Sequence, residues 1–149
     1  VVVGGDLTTT SLAEEYAHAA DFLDLLASRE LREWAIPGNH DVYTFGSARM
    51  DLFRRFLGRF MPGDTLPARV VLPGGTPLIF TPTTCPNLIT SRGRVTRAEI
   101  AETARLAADS PPGPVIVAGH YPLLFKTGAY HEQPTHRLRN AAAAAPAQG

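Results

Sequence analysis

Six side chains carry most of the chemistry that this sequence offers: Asp6, Asn39, His40, Asp41, His120 and His131. Five of them stand in three stretches: Val-Val-Gly-Gly-Asp-Leu-Thr (2–8), Ile-Pro-Gly-Asn-His-Asp-Val-Tyr (36–43) and Val-Ile-Val-Ala-Gly-His-Tyr-Pro-Leu (115–123). Each stretch has the same grammar. An apolar run ends, glycine permits a tight turn, and a metal-competent side chain follows. A carboxylate (Asp6), an amide beside an imidazole (Asn39, His40) and a further imidazole (His120) make an oxygen and nitrogen donor set. Such a set suits Mn, Fe, Zn or a similar divalent ion. Taken singly, each stretch has an ordinary explanation. Gly-Asp after a strand is a common turn, a lone Gly-His is commonly structural, and Gly-Asn-His-Asp forms Asx-type turns. Three in this order, each at the end of an apolar run, are much rarer by chance.

The elements that must position these residues follow from periodicity. Val1–Val3 reads as the end of a buried strand. Ser11 with Glu14 fits a capping box, and Leu12, Tyr16, Ala19, Leu23 and Leu26 then repeat at helical spacing. A short strand is expected over 31–36 and a second helix over about 47–61. Two strands (69–72 and 77–81) read as a hairpin joined at Gly74-Gly75, followed by an irregular loop over 83–94. Thr96 with Glu99 is a second capping box, opening a helix to about Ala108; a strand over 115–118 and a helix from Thr135 complete the series. This alternation predicts an α/β sheet layered with helices, with chemistry at the C-terminal strand ends.

Composition narrows the function. The 149 residues are 44% hydrophobic, enough for a sizeable core, and disorder is excluded for most of the chain. Fourteen basic and fourteen acidic residues cancel, which argues against general nucleic-acid or anionic-membrane binding. The single cysteine, Cys85, excludes an internal disulfide and a cysteine-based zinc site. No apolar run reaches the length of a transmembrane helix. Of the compartments, the cytoplasm is favoured.

The three stretches resemble three of the five motifs of calcineurin-like metallophosphoesterases, the second being the most specific. The likeness runs from residue 1 to about residue 140, and its style is closest to bacterial enzymes similar to class III cyclic-nucleotide phosphodiesterases. Gly-His-Tyr-Pro with His131 and Pro134-Thr135-His136 also resembles the purple acid phosphatase branch. Thr9 stands where that branch carries a tyrosine, which argues against a tyrosinate-bound ferric ion. The resemblance implies a partial four-layer αββα sandwich with mixed sheets, with residues 1–149 forming a partial domain. It implies a hydrolase whose partner is a small phosphorylated substrate, a phosphomono- or diester, and that uses two divalent ions (Mn, Fe or Zn) and a water activated between them. Asp6 would bridge the ions, and Asn39 and His120 would hold the second. His40 would sit over the substrate, Asn39 and His131 would contact it, and Asp41 would orient and charge His40.

The family's first motif, Asp-x-His, and its last, Gly-His-x-His, are missing from this sequence. The chain is therefore expected to be a fragment, with weak or mononuclear metal binding, negligible turnover and reduced stability when alone. The competing reading is a degenerate phosphoesterase fold acting as a non-catalytic interaction module. Retention of Asp6, Asn39, His40 and His120 favours the enzyme. His18, His136 and Cys85 are read as ordinary surface, helix-start and loop residues.

Overall fold

The computed structural model describes residues 1–49, 51–87, 92–122 and 138–139. The element order is β1 (Val2–Val3), α1 (Ala13–Ala27), β2 (Trp34–Ala35), a 3-10 turn (His40–Val42), α2 (Phe45–Arg49), α3 (Leu52–Leu57) and a second 3-10 turn (Gly58–Phe60). Then come β3 (Ala68–Val71), β4 (Pro77–Phe80), β5 (Gly93–Arg94), α4 (Arg97–Ala108), β6 (Ile116–Ala118) and β7 (Leu138–Arg139). The strands form a mixed α/β arrangement: β1 with β2, β3-β4-β6, and β5 with β7. β3 and β4 are antiparallel, while β4–β6, β1–β2 and β5–β7 are parallel. The fold is the expected α/β class with mixed sheets.

Two apolar clusters meet on β2. Tyr16, Ala19, Ala20 and Leu23 of α1 pack with Ala35 and with Leu52, Phe53, Leu57 and Phe60. Trp34 and Ile36 pack instead with Leu78 and Phe80 of β4. Successive side chains of an extended chain point to opposite faces, so Ala35 serves one cluster and its two neighbours the other. Tyr16, fully buried, stacks on Phe56 at 5.8 Å and meets Phe53 edge-on at 6.4 Å. All four residues of β4 are buried, as befits the central strand of its sheet.

Register carries the site residues to shared ends. Val2 pairs with Trp34 and Val3 with Ala35, so the chain leaves β1 into Gly4-Gly5-Asp6 beside the exit from β2 into Pro37-Gly38-Asn39. Phe80 pairs with Ala118, just before Gly119-His120.

Four local expectations are corrected. The first capping box is replaced by half of one, a residue later: Leu12 is the N-cap with no side-chain cap, and its N–H donates to Glu15 at 3.0 Å. Ser11 is unavailable as a cap because its hydroxyl donates to the His40 carbonyl. The single helix over 47–61 is broken, with Asp51 in the left-handed region (φ 48°) opening α3. The loop over 83–94 ends in β5, and β5 pairs with β7, where a helix was expected. The second capping box forms as read: Glu99 N–H donates to Thr96 Oγ1, and Thr96 N–H to the Glu99 carboxylate. Among the described residues no helix is long and apolar enough to cross a membrane.

Candidate metal centre

Two glycines let the Asp6 and Asn39 loops interlock. A Cβ on Gly5 would lie 2.3 Å from the Gly38 nitrogen, and one on Gly38 would lie 2.2 Å from both the nitrogen and Oδ1 of Asp6. Gly5 (φ 104°) and Asp6 (φ 57°) both take left-handed backbone. Glycine does so freely; for Asp6 the conformation is uncommon and must be held by its surroundings.

Asp41 holds it. This carboxylate is 1% exposed. Its Oδ2 accepts the N–H groups of Asp6 and Gly38, both at 2.8 Å. Its Oδ1 accepts the Thr8 N–H at 2.8 Å and the Thr8 hydroxyl at 3.0 Å. Four donors satisfy a buried charge that would otherwise be costly. The Tyr16 hydroxyl donates to the Asp41 backbone carbonyl, tying α1 to the same loop. Burial, with the nearby Asp41 charge, pushes the Tyr16 phenol up to about 12.

The expectation that Asp41 orients His40 is therefore corrected. The Asp41 carboxylate has turned inward to backbone donors, so its work is to bind the two loops together. The His40 ring is held by other groups. Its Nδ1 lies 2.8 Å from the Thr9 carbonyl, which can only accept, so Nδ1 carries the proton. The ring stacks on Tyr43 at 5.6 Å and 4°. Nε2 is left as the nitrogen without a partner among the described residues, and the His40 N–H donates to Asp6 Oδ1 at 3.0 Å.

Asp6, Asn39 and His120 come together from three separate segments. His120 Nε2 lies 2.9 Å from Asn39 Oδ1 and 3.6 Å from Asp6 Oδ1. Its Nδ1 lies 2.8 Å from the Gly4 carbonyl, so the proton of a neutral ring sits on Nδ1. The Nε2 lone pair then faces two oxygen acceptors. A divalent ion among the three would satisfy them, as would a proton on Nε2 or an Asn39 amide turned to present its N–H2; an imidazole anchored through Nδ1–H to a carbonyl has the pose of a metal-ligating histidine. The donor set fits one divalent ion. Among the described residues no group of three or more His, Cys, Asp or Glu side chains could hold a metal ion; here the third donor is an amide oxygen.

His131 lies outside the described residues. The sulfur of Cys85, which is half-buried, lies 3.6 Å from the Arg92 carbonyl. A groove of about 360 Å³ between the Asp6 loop and α1 includes Thr9 and His18 but none of Asp6, Asn39 and His120. Sequence reasoning missed Thr8, Ser11 and Tyr16 as supports of the site. Tyr16 was legible only as part of the apolar stripe, and Ser11 only as a cap.

The family model for calcineurin-like phosphoesterases matches residues 1–144. A search of curated proteins finds no match to the chain.

Proposed function

This chain belongs to the calcineurin-like phosphoesterase family, and from that premise we propose that it is a metal-dependent phosphoesterase acting on phosphomono- or phosphodiesters at the Asp6, Asn39 and His120 centre. Family membership implies a hydrolase of the phosphoesterase type. The observation that carries the finer reading is the convergence of His120 Nε2 on Asn39 Oδ1 and Asp6 Oδ1, with the other ring nitrogen committed to the Gly4 carbonyl.

A divalent ion, when bound by Asp6, Asn39 and His120, would neutralise phosphate charge and, with a second ion for which these residues offer only Asp6, activate a water. The Asn39 amide would help to place the phosphate, with His131 as a further substrate contact. His40, held through Nδ1–H by the Thr9 carbonyl and stacked on Tyr43, would as the imidazolium give its Nε2 proton to the leaving oxygen and return to the Nδ1–H tautomer. Asp41 would fix the distance between the Asp6 and Asn39 loops. The motif style is similar to that of class III cyclic-nucleotide phosphodiesterases, which makes a cyclic nucleotide the first substrate to try.

The test is a panel assayed with the Mn²⁺-loaded protein in its natural length: a cyclic nucleotide, bis-p-nitrophenyl phosphate and p-nitrophenyl phosphate. Metal-dependent hydrolysis that is lost in His120→Ala supports the reading. Hydrolysis of none of the three, in a protein that binds Mn²⁺, would leave a binding module in place of an enzyme.

A further inference from the structure

Glu15, in the first turn of α1, gathers the loop that leads into that helix. Its Oε2 accepts the Leu12 N–H at 3.0 Å, which is the bond a helix start needs. Its other bonds lie outside the helix. Oε1 accepts the Thr9 N–H at 3.1 Å, the Thr10 N–H reaches Oε2 at 3.0 Å and Oε1 at 3.3 Å, and the Thr10 hydroxyl donates to Oε2 at 3.1 Å.

One of these bonds leads to the site. The Thr10 N–H and the Thr9 carbonyl belong to one peptide unit, which is trans and planar, so the two groups point in opposite directions. A carboxylate that holds the N–H therefore fixes the direction of the carbonyl. That carbonyl is the acceptor 2.8 Å from His40 Nδ1. Carboxylate, peptide and imidazole thus stand in series, and a charged acceptor on the N–H polarises the peptide and strengthens its carbonyl as an acceptor. The preceding residues are held as well. Thr8 N–H donates to Asp41 Oδ1 at 2.8 Å and Thr9 N–H to Glu15. Thr9 and Thr10 are both exposed, so hydrogen bonds, not packing, hold this carbonyl in place. Asp41 faces inward, and Glu15 is the carboxylate that supports the ring, at one peptide's remove.

We propose that Glu15 is a positioning residue for His40, acting through the Thr9–Thr10 peptide: its carboxylate fixes the carbonyl that keeps a proton on Nδ1, which leaves Nε2 as the nitrogen that gains and gives up a proton. The proposal rests on the role given to His40 above.

The experiment uses the protein in its natural length with isotope-labelled histidine. Nitrogen–proton NMR in chelator reads the tautomer of the neutral His40 ring, assigned by loss of its signal in His40→Ala. Wild type should show the Nδ1–H form. Glu15→Ala should bring in the Nε2–H form, and Glu15→Gln, which retains one acceptor oxygen, should fall between. Glu14→Gln should match wild type, because Glu14 shares the first turn but makes no hydrogen bond among the described residues. With Mn²⁺ supplied, kcat of Glu15→Ala on an alkyl phosphodiester should fall about tenfold, the weight of one hydrogen bond to a charged group, with KM and Mn²⁺ affinity unchanged. A His40 tautomer unchanged in both Glu15 variants overturns the proposal. So does an equal change in Glu14→Gln, which would make it an effect of charge at the helix start. So does a changed tautomer with kcat untouched. If Glu15→Ala does not fold, Glu15→Gln decides by the same criteria. If wild type hydrolyses no phosphoester, the enzyme reading falls, and the tautomer alone decides whether Glu15 sets the ring.

Discussion

Asp41 Oδ2 accepts the backbone N–H of Asp6 at 2.8 Å, across 35 residues of chain. The same oxygen accepts the N–H of Gly38, so one carboxylate spans the two loops that carry Asp6 and Asn39. The geometry of the candidate ligands is thus set by a residue whose carboxylate, among the described residues, hydrogen-bonds to none of their side chains. Asp6 keeps a left-handed backbone, which costs a non-glycine residue of order 1 kcal/mol or more, and the hydrogen bonds to Asp41 offset that cost.

Asp41→Asn should be severely destabilising. An amide offers one acceptor oxygen where the carboxylate uses two, so at least one pair of donors would face an N–H group. Breaking a buried charged network of this kind costs about 3 kcal/mol or more. Urea denaturation in chelator would measure it as a lower midpoint with an unchanged slope. A loss below about 1 kcal/mol would show that the loops hold together without the carboxylate.

Gly38→Ala should displace the Asp6 loop. Its Cβ would fall 2.2 Å from two atoms of Asp6, one of them backbone, with no flexible tip to move aside. Overpacking of this sort costs roughly 1–3 kcal/mol, and the shift should also weaken Mn²⁺ binding. Gly74→Ala is the control. Gly74 takes φ 96° in an exposed turn with open space around it, so alanine there strains the turn but should leave Mn²⁺ affinity unchanged.

Alkaline titration should find two late tyrosines. Tyr16 and Tyr121 are both pushed up to about 12, chiefly by burial, against an ordinary value of 10.0. A phenol raised in the folded state contributes stability that is complete below the unfolded value. That contribution is lost as pH rises from about 10 to about 12. Ultraviolet difference titration should show Tyr16 and Tyr121 ionising late in the native protein, each assigned by its Phe variant, and neither delayed in denaturant. Tyr16→Phe should remove one late transition and cost about 1 kcal/mol, the worth of its bond to the Asp41 carbonyl.

The strand ends were legible in the sequence because apolar runs followed by glycine leave few other choices. The residues that those ends present, Asp6, Asn39 and His120, are brought together in the structure. The Thr96–Glu99 cap was legible because its hydrogen bonds are local. The supports were not, because they depend on pairings that no local pattern encodes. Ser11 looks like a helix cap until the His40 carbonyl competes for its hydroxyl. Asp41 next to His40 suggests a carboxylate–imidazole pair, yet neighbours along a 3-10 turn do not face each other. Three of the four donors that claim Asp41 come from Asp6 and Thr8, more than thirty residues away. The break before α3 turns on the left-handed backbone of Asp51, which a helical stripe conceals.

His40→Ala separates two roles for this imidazole. Its Nδ1–H is committed to the Thr9 carbonyl and its ring is stacked on Tyr43, so Nε2 is the atom with work to do. If Nε2 gives a proton to the departing oxygen, the loss should depend on how much the leaving group needs that proton. An alkyl alcohol leaves poorly as an alkoxide, so kcat on an alkyl phosphodiester should fall roughly a hundred- to ten-thousandfold. The p-nitrophenolate anion is stable unprotonated, so kcat on bis-p-nitrophenyl phosphate should fall far less. If His40 instead only stabilises charge on the phosphate, both substrates suffer alike. A uniform loss across leaving groups, with Mn²⁺ affinity intact, would therefore rule out the general-acid role and leave an electrostatic one.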